Sequence, residues 1–95
     1  MKSWKTQKLK QMAKALLSLK TEKEALAFLR DVATLEELES LSSRWNVVLE
    51  LNKNTSYRDI AKKTGVSTAT ITRISHWLKH GEGGYQTALK KLKKS

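Results

Sequence analysis

A single glycine, Gly65, lies between two short helical patterns, and the spacing around it limits the possible folds more than any other feature. Two helices that cross closely over a tight turn need a small residue at the crossing and, four positions later, a residue that tolerates a left-handed backbone. Ala61 and Gly65 meet these two requirements. The apolar residues that would face a shared core follow at the required spacing: Ile60, Val66, Ile71 and Ile74. These six positions predict a helix-turn-helix over about 56–79.

The remainder of the chain also has helical patterns and no convincing strand. Apolar residues recur at the spacing of one helix face over three segments, about 3–19, 22–31 and 35–52. Thr21 and Thr34 are each followed three positions later by a glutamate, which is the spacing of a capping box at a helix start. Short connections between these segments predict an all-α fold.

The 95 residues are expected to form one domain, 1–95, with three parts. These parts are core helices over about 3–52, a helix-turn-helix over about 56–79 and a basic C-terminal tail over about 81–95. Within the second part, helices are predicted over about 56–63 and 68–79, and Ser67 would cap the later one. The tail either forms one more short amphipathic helix or stays partly disordered.

Charge is unevenly distributed along the chain, whose formal net charge is +10. Residues 1–20 contain six lysines and no acid, whereas residues 21–50 contain seven acids against three bases. The last six residues contain four lysines. Basic segments on both sides of an acidic middle favour a polyanionic partner, most often nucleic acid. The two basic ends are interpreted either as DNA-contacting arms or as solubilising tails.

The outward face of the predicted 68–79 helix carries short polar side chains, which suit close approach to DNA. In a DNA-reading helix-turn-helix, the start of the second helix enters the major groove. Threonine can bind base edges or phosphates, and its methyl group can contact a thymine methyl. The predicted DNA contacts are Arg58, Lys62, Ser67, Thr68, Ala69, Thr72 and Arg73. A solvated helix end is the alternative for Lys62, and a non-DNA protein-interaction module is the alternative for the whole motif.

Two longer stretches of the chain, SYRDIAKKTGVSTATITRISHWLK and TLEELESLSSRWNVVLELN, carry a further signal. The first resembles the DNA-reading head of the tryptophan repressor family, and the second resembles that family's central helix. The pattern is closer to the YerC/YecD-type branch of the family. The resemblance covers roughly residues 20–80. It implies an intertwined helical homodimer whose heads read a pseudo-palindromic operator in double-stranded DNA. It also implies a sequence-specific transcription regulator, and we expect a repressor.

The same resemblance implies an effector pocket. In the family's tryptophan-binding member, two arginines and a threonine line this pocket, and they correspond to Arg44, Arg73 and Thr34. Ile74 stands where that member has glycine, and Trp77 stands where it has a small serine. We therefore expect no control by L-tryptophan, with Trp77 either replacing the ligand or acting as an ordinary core aromatic. A regulator that responds to an unknown small molecule is the alternative.

Nothing in the sequence predicts catalysis, a cofactor or a metal site. His76 and His80 have the spacing of a metal-binding pair on a helix, but no cysteine or suitably spaced acid joins them, so a surface or dimer-contact role is predicted. No combination of nucleophile, base and acid stands out, so an enzyme is not expected. No stretch approaches the roughly 18 apolar residues of a membrane span, and no signal-peptide core follows the basic start. A cytoplasmic protein without a membrane partner is expected.

Overall fold

Six α-helices are present in residues 3–93, the part of the chain that this computed structural model describes. They are α1 (Gln7–Ser18), α2 (Glu22–Val32), α3 (Leu35–Asn52), α4 (Tyr57–Thr64), α5 (Thr68–His80) and α6 (Gly84–Lys93). Residues 3–93 contain no strand, which confirms the predicted all-α fold. Within the same range, no helix is long and apolar enough to cross a membrane. The outermost residues of the two predicted basic ends, Met1, Lys2, Lys94 and Ser95, lie outside the described part.

Side-chain caps fix where the helices begin. At the start of α3, the Thr34 hydroxyl accepts a hydrogen bond from the Glu37 backbone N–H at 3.1 Å. In return, the Glu37 carboxylate accepts one from the Thr34 backbone N–H at 2.8 Å. The Thr21 hydroxyl caps α2 by accepting from the Glu24 backbone N–H at 3.1 Å. These bonds satisfy N–H groups that have no partner inside the helix, and the predicted starts of α2 and α3 are confirmed.

One helix boundary differs from the sequence-based expectation. The first helix begins at Gln7 rather than at about residue 3, because the backbone of Thr6 is extended and its hydroxyl accepts from the Leu9 backbone N–H at 3.2 Å. In the tail, Gly84–Lys93 form the helix α6, which is the first of the two predicted alternatives. The difference at α1 arises because apolar spacing alone locates the end of a helix poorly.

The chain divides into two compact units, Met1–Leu38 and Glu39–Ser95. In the first unit, α1 and α2 contain no buried residue. Leu16 on the expected apolar stripe of α1 is 40% exposed, and Leu17 beside it is 85% exposed. This unit therefore presents apolar residues at helical spacing that stay accessible to solvent. That residues 1–95 form a single domain stays a prediction.

The second unit has a conventional hydrophobic core. Its buried residues are Val47, Val48, Ile60, Ile71 and Ile74, contributed by α3, α4 and α5. The half-buried residues packed against them are Trp45, Leu51, Ala61, Val66, Leu78, Tyr85 and Leu89. Because two of these half-buried residues lie on α6, the last helix joins the same core.

Helices α4 and α5 form a pair joined by a three-residue turn over 65–67. Gly65 ends α4 with φ +75°, the left-handed conformation that favours glycine, and its N–H donates to the Ala61 carbonyl at 2.9 Å. The Ser67 hydroxyl then caps α5 by accepting from the Thr70 backbone N–H at 3.2 Å. The turn residue and the cap are those that the sequence predicted, and together they place the start of α5 at the protein surface.

Candidate nucleic-acid interface and adjoining cavity

The start of α5 has a buried face and an exposed face. Ile71 is fully buried and Ile74 is 5% exposed, so these two residues hold the inner face of α5 in the core. Thr68, Ala69 and Thr72 on the other side are exposed. This arrangement leaves a surface of short side chains that a groove of DNA could approach closely.

The hydroxyl of Thr72 is already engaged in a hydrogen bond within α5. The Thr72 hydroxyl lies 2.9 Å from the Thr68 backbone carbonyl. Since a carbonyl only accepts, the Thr72 hydroxyl must donate its hydrogen there, and only its lone pairs and its methyl group face outward. Such a side chain can accept a hydrogen bond from a base amino group or contact a thymine methyl.

Ser67, also a predicted DNA contact, is engaged in its own helix start. Its hydroxyl accepts from the Thr70 backbone N–H and lies 3.1 Å from the Thr70 hydroxyl, to which it donates. The side chain is exposed, so its contact with DNA stays a prediction. The bonds that it makes within the structure serve to cap α5.

Exposed cationic side chains lie on both helices of the pair α4 and α5. Residues 56–80 contain five bases and one acid. Arg58 and Lys62 on α4 and Arg73 on α5 are exposed, as phosphate contacts would have to be. Lys63, the neighbour of Lys62, instead lies 3.3 Å from the carboxylate of Glu50 on α3.

Glu50 is a residue whose importance sequence analysis missed. It is only 8% exposed, and its carboxylate accepts hydrogen bonds from the side chains of Thr55 and Lys63. These two bonds, the one from Thr55 first, lower the pKa of Glu50 below the ordinary value of a glutamate. The available signal was one acid in the otherwise apolar sequence VVLEL at the end of a predicted helix.

Next to the exposed face of α5 lies a cavity of about 650 Å³, within the usual size range of small-molecule sites. Four of the five predicted effector-pocket residues line it: Arg44, Arg73, Ile74 and Trp77. The remaining wall is formed by Thr70, Glu82, Gly83, Gly84 and Tyr85. Thr34, the fifth predicted residue, belongs to the unit Met1–Leu38 and caps α3 there.

Trp77 lies on the rim of this cavity and is 58% exposed, so it is not an ordinary core aromatic within the described chain. Its ring packs towards the end of α5. A Cβ atom at Gly81 would come within 2.7 Å of the ring atom Cε3 and closer still to the Trp77 carbonyl oxygen. Gly81 is therefore required for α5 to end with the Trp77 ring in this position.

The described residues hold no group of three or more histidine, cysteine, aspartate or glutamate side chains placed to bind a metal ion. His76 and His80 lie on successive turns of α5 with ring centroids 5.0 Å apart, and both are exposed. The expected absence of a metal site and of catalytic residues stays a prediction.

These helices, with a short pair joined through a left-handed glycine, define a small all-helical protein with an exposed helix start. The family model described as Trp repressor protein matches residues 7–93. The chain belongs to this family, as the resemblance of its sequence predicted.

Individual relatives support the assignment. The uncharacterised protein YerC of Bacillus subtilis is 37% identical over 87 residues, which are 92% of this chain and 84% of YerC. A TrpR-like protein from Eubacterium eligens has a solved structure that matches with a TM-score of 0.86 and 45% identity, covering 93% of this chain and 91% of that one. A Trp repressor candidate from Staphylococcus aureus matches with a TM-score of 0.86 and 30% identity, covering 94% and 89% of the respective chains.

Proposed function

We propose that this protein is a sequence-specific DNA-binding transcription regulator that acts as a homodimer and represses its targets from a pseudo-palindromic operator. It works in the cytoplasm and does not require L-tryptophan. The observation that carries the proposal is the start of α5, whose Ile71 and Ile74 are buried while Thr68, Ala69 and Thr72 are exposed. In the DNA-reading helix-turn-helix, this end of the second helix contacts base edges in the major groove.

The cations around this surface support a role in phosphate binding. Arg58, Lys62 and Arg73 are exposed near the helix pair, and the chain as a whole has a formal net charge of +10. Phosphate contacts hold a protein in register on the duplex, whereas base contacts distinguish sequences. The short side chains of α5 are assigned the second task.

The unit Met1–Leu38 supports the homodimer. Neither α1 nor α2 buries a residue, although both have an apolar stripe. A second copy of the chain would cover this stripe and would also supply the second head that a pseudo-palindromic operator requires.

A second candidate function is regulation by a small molecule, and the cavity beside α5 favours it. Arg44 and Arg73 are both in its wall, so an anionic group would find two guanidinium partners. Ile74 and Trp77 also line the wall and are larger than the corresponding residues of the tryptophan-binding member of the family. We expect them to exclude tryptophan, which leaves a different anionic ligand as the candidate effector.

Selection of bound duplexes from a random DNA pool, at fixed salt and with and without L-tryptophan, tests the proposal. We expect a palindromic motif with half-sites about one helical turn apart, enriched equally in both arms. Enrichment only with L-tryptophan would disprove tryptophan independence. Absence of enrichment in both arms would favour an unidentified effector or a protein-binding role for the helix pair.

Single substitutions then test whether the exposed side of the helix pair contacts DNA. Thr72→Ala should weaken binding to the selected duplex by about 1–3 kcal/mol, because it removes an acceptor and a methyl group at the base edges. Arg58→Ala should weaken binding to all duplexes alike and reduce its salt dependence. Thr87→Ala on α6 is the matched control, since Thr87 is also an exposed helical threonine. Equal affinities of the Thr72→Ala and Thr87→Ala variants would refute the assignment of α5.

A further inference from the structure

Glu50 is one of two buried polar residues in residues 3–93, the other being Ser75, and its carboxylate is surrounded by donors. The Thr55 hydroxyl donates to it at 3.0 Å, the Lys63 ammonium at 3.3 Å and the Lys53 ammonium at 3.4 Å. The Glu50 backbone carbonyl accepts two further bonds, from the backbone N–H groups of Lys53 and Thr55, each at 3.1 Å. No buried side-chain polar atom of the described residues lacks a partner.

These donors belong to different parts of the chain. Lys53 follows α3 directly, Thr55 lies in the connection to α4, and Lys63 lies in the last turn of α4. Burial of a carboxylate is unfavourable unless hydrogen bonds replace the lost water, so the site is stable only when these donors keep their positions. Of the three, only Lys63 joins the end of α3 to the far end of α4.

The same contact separates two adjacent lysines. Lys63 has its ammonium at Glu50, whereas Lys62 makes no ion pair with any residue in 3–93. Both lysines are exposed in the sense that water reaches their side chains, so sequence and exposure alone do not tell them apart. Their contacts differ, because Lys63 would have to leave the Glu50 carboxylate, whose side chain is 11% exposed, in order to bind a phosphate, and Lys62 has no such contact.

We infer that Glu50 is a positioning residue for DNA recognition: through Lys63 and Thr55 it fixes α4 against α3 and thereby sets the orientation in which α5 reaches the groove. The inference rests on the proposed function and assigns the two lysines different tasks. Lys62 contacts phosphate, and Lys63 holds the helix pair in place.

The orientation matters because of how the core is built. Ile60 of α4 and Ile71 of α5 are fully buried in one cluster with Val47 and Val48 of α3. Apolar contacts of this kind are not directional and tolerate small rotations of one helix against another. The hydrogen bonds of Glu50 depend on distance and angle, so they select one orientation among those that the apolar core allows.

The first test does not involve DNA. Glu50→Gln, Lys63→Met and the combined variant are compared with the wild type by urea unfolding in a double-mutant cycle. We expect both single variants to lower the unfolding midpoint, and the combined variant to lose less than the sum of the two. Lys62→Met is the matched control, because Lys62 precedes Lys63 on α4 and makes no ion pair with any residue in 3–93, and it should leave the midpoint nearly unchanged. Additive effects of Glu50→Gln and Lys63→Met would overturn the inference.

The second test measures DNA affinity as a function of salt, on the selected duplex and on a scrambled duplex. Lys62→Met should weaken both and lower the slope of log affinity against log salt by about one per subunit. Lys63→Met and Thr55→Val should weaken the selected duplex at least about fivefold, leave the scrambled duplex unchanged and leave the slope unchanged. Lys63→Arg keeps the charge and the hydrogen-bond donors, so it should retain most of the wild-type affinity for the selected duplex.

Two results of the salt titration would overturn the inference. An equal loss of slope in the Lys62→Met and Lys63→Met variants would overturn the inference, because Lys63 would then contact phosphate. A full specific affinity in the folded Lys63→Met protein would overturn it as well, by showing that the contact contributes only to stability. If the wild type selects no duplex, the proposed function fails, and the urea cycle still decides whether Glu50 and Lys63 act together.

Discussion

Leu16 of α1 and Ile71 of α5 are both large apolar residues of a helix, but they differ in burial. Each belongs to an apolar stripe at helical spacing. Ile71 is fully buried within the unit Glu39–Ser95, whereas Leu16 in the unit Met1–Leu38 is 40% exposed. Helical spacing thus identifies the face that avoids water but does not identify what covers it. In the proposed homodimer, the second subunit covers the apolar stripe of α1.

Ile71→Ala should have the largest effect on the folding of one chain. It removes a fully buried side chain and leaves a cavity, so the free energy of unfolding should fall by about 2–5 kcal/mol. Urea unfolding at two protein concentrations measures this loss, which we expect to be largely independent of concentration. Leu16→Ala is the comparison, and its effect should increase as the protein is diluted. Equal behaviour of the two variants would remove the distinction between the two units.

Leu16→Glu tests the cover of the first stripe directly. A carboxylate at a buried dimer contact should raise the dissociation constant at least about tenfold, or about 1.4 kcal/mol, as measured by sedimentation equilibrium. Gln11→Glu introduces the same side chain on the opposite, polar face of α1 and should leave the association unchanged. Should the wild type sediment as a monomer at all concentrations, the homodimer is wrong.

Gly65→Ala tests whether the helix pair is determined locally. Nothing lies within 4 Å of an added Cβ, but φ is +75°, so the cost is conformational and should be about 1 kcal/mol. Gly84→Ala at the start of α6 also has open space, without a positive φ, and should be neutral or slightly stabilising. Thermal unfolding compares the two variants, and equal melting temperatures would contradict the role given to the turn.

A smaller effect is expected from pH, through one glutamate in each unit. Hydrogen bonds from Thr34, first that of its backbone N–H, lower the pKa of Glu37, and the bonds from Thr55 and Lys63 lower the pKa of Glu50. A carboxyl with a lowered folded-state pKa stabilises the fold above its unfolded pKa, about 4.3, and this contribution is lost as pH falls through the folded pKa. The variant Glu37→Gln/Glu50→Gln should therefore lose less stability than the wild type on acidification below about pH 4.5. Parallel curves of urea midpoint against pH for the two proteins would contradict this.

The local features of the fold were predictable because they depend on few residues. The caps at Thr34 and Ser67 and the left-handed turn at Gly65 each follow from one side chain and its immediate neighbours. The start of α1 was misplaced, since its apolar stripe begins only at Leu9 and so does not show that Thr6 caps the helix. The cavity was predicted only by resemblance to a family, and periodicity gave no indication of it.

The contact between Glu50 and Lys63 was not predictable in the same way. The two residues are 13 positions apart in the sequence. An isolated acid near the end of a helix is ordinarily predicted to be exposed to solvent. Whether such an acid is buried depends on the path of the chain after α3, which residues 53–56 determine. Nor does any local rule show which of two neighbouring lysines will reach it.

The three tryptophans of the chain lie in three different surroundings, so their fluorescence can report on three different parts of the protein. Trp4 precedes α1 and is 58% exposed, while Trp45 on α3 is half-buried with its ring centroid 6.2 Å from that of Tyr85. Trp77, also 58% exposed, stands at the rim of the cavity. A variant that keeps only Trp77 would report by a blue shift of its fluorescence when a ligand or a second chain displaces water there. A variant that keeps only Trp45 would report the unfolding of the core alone.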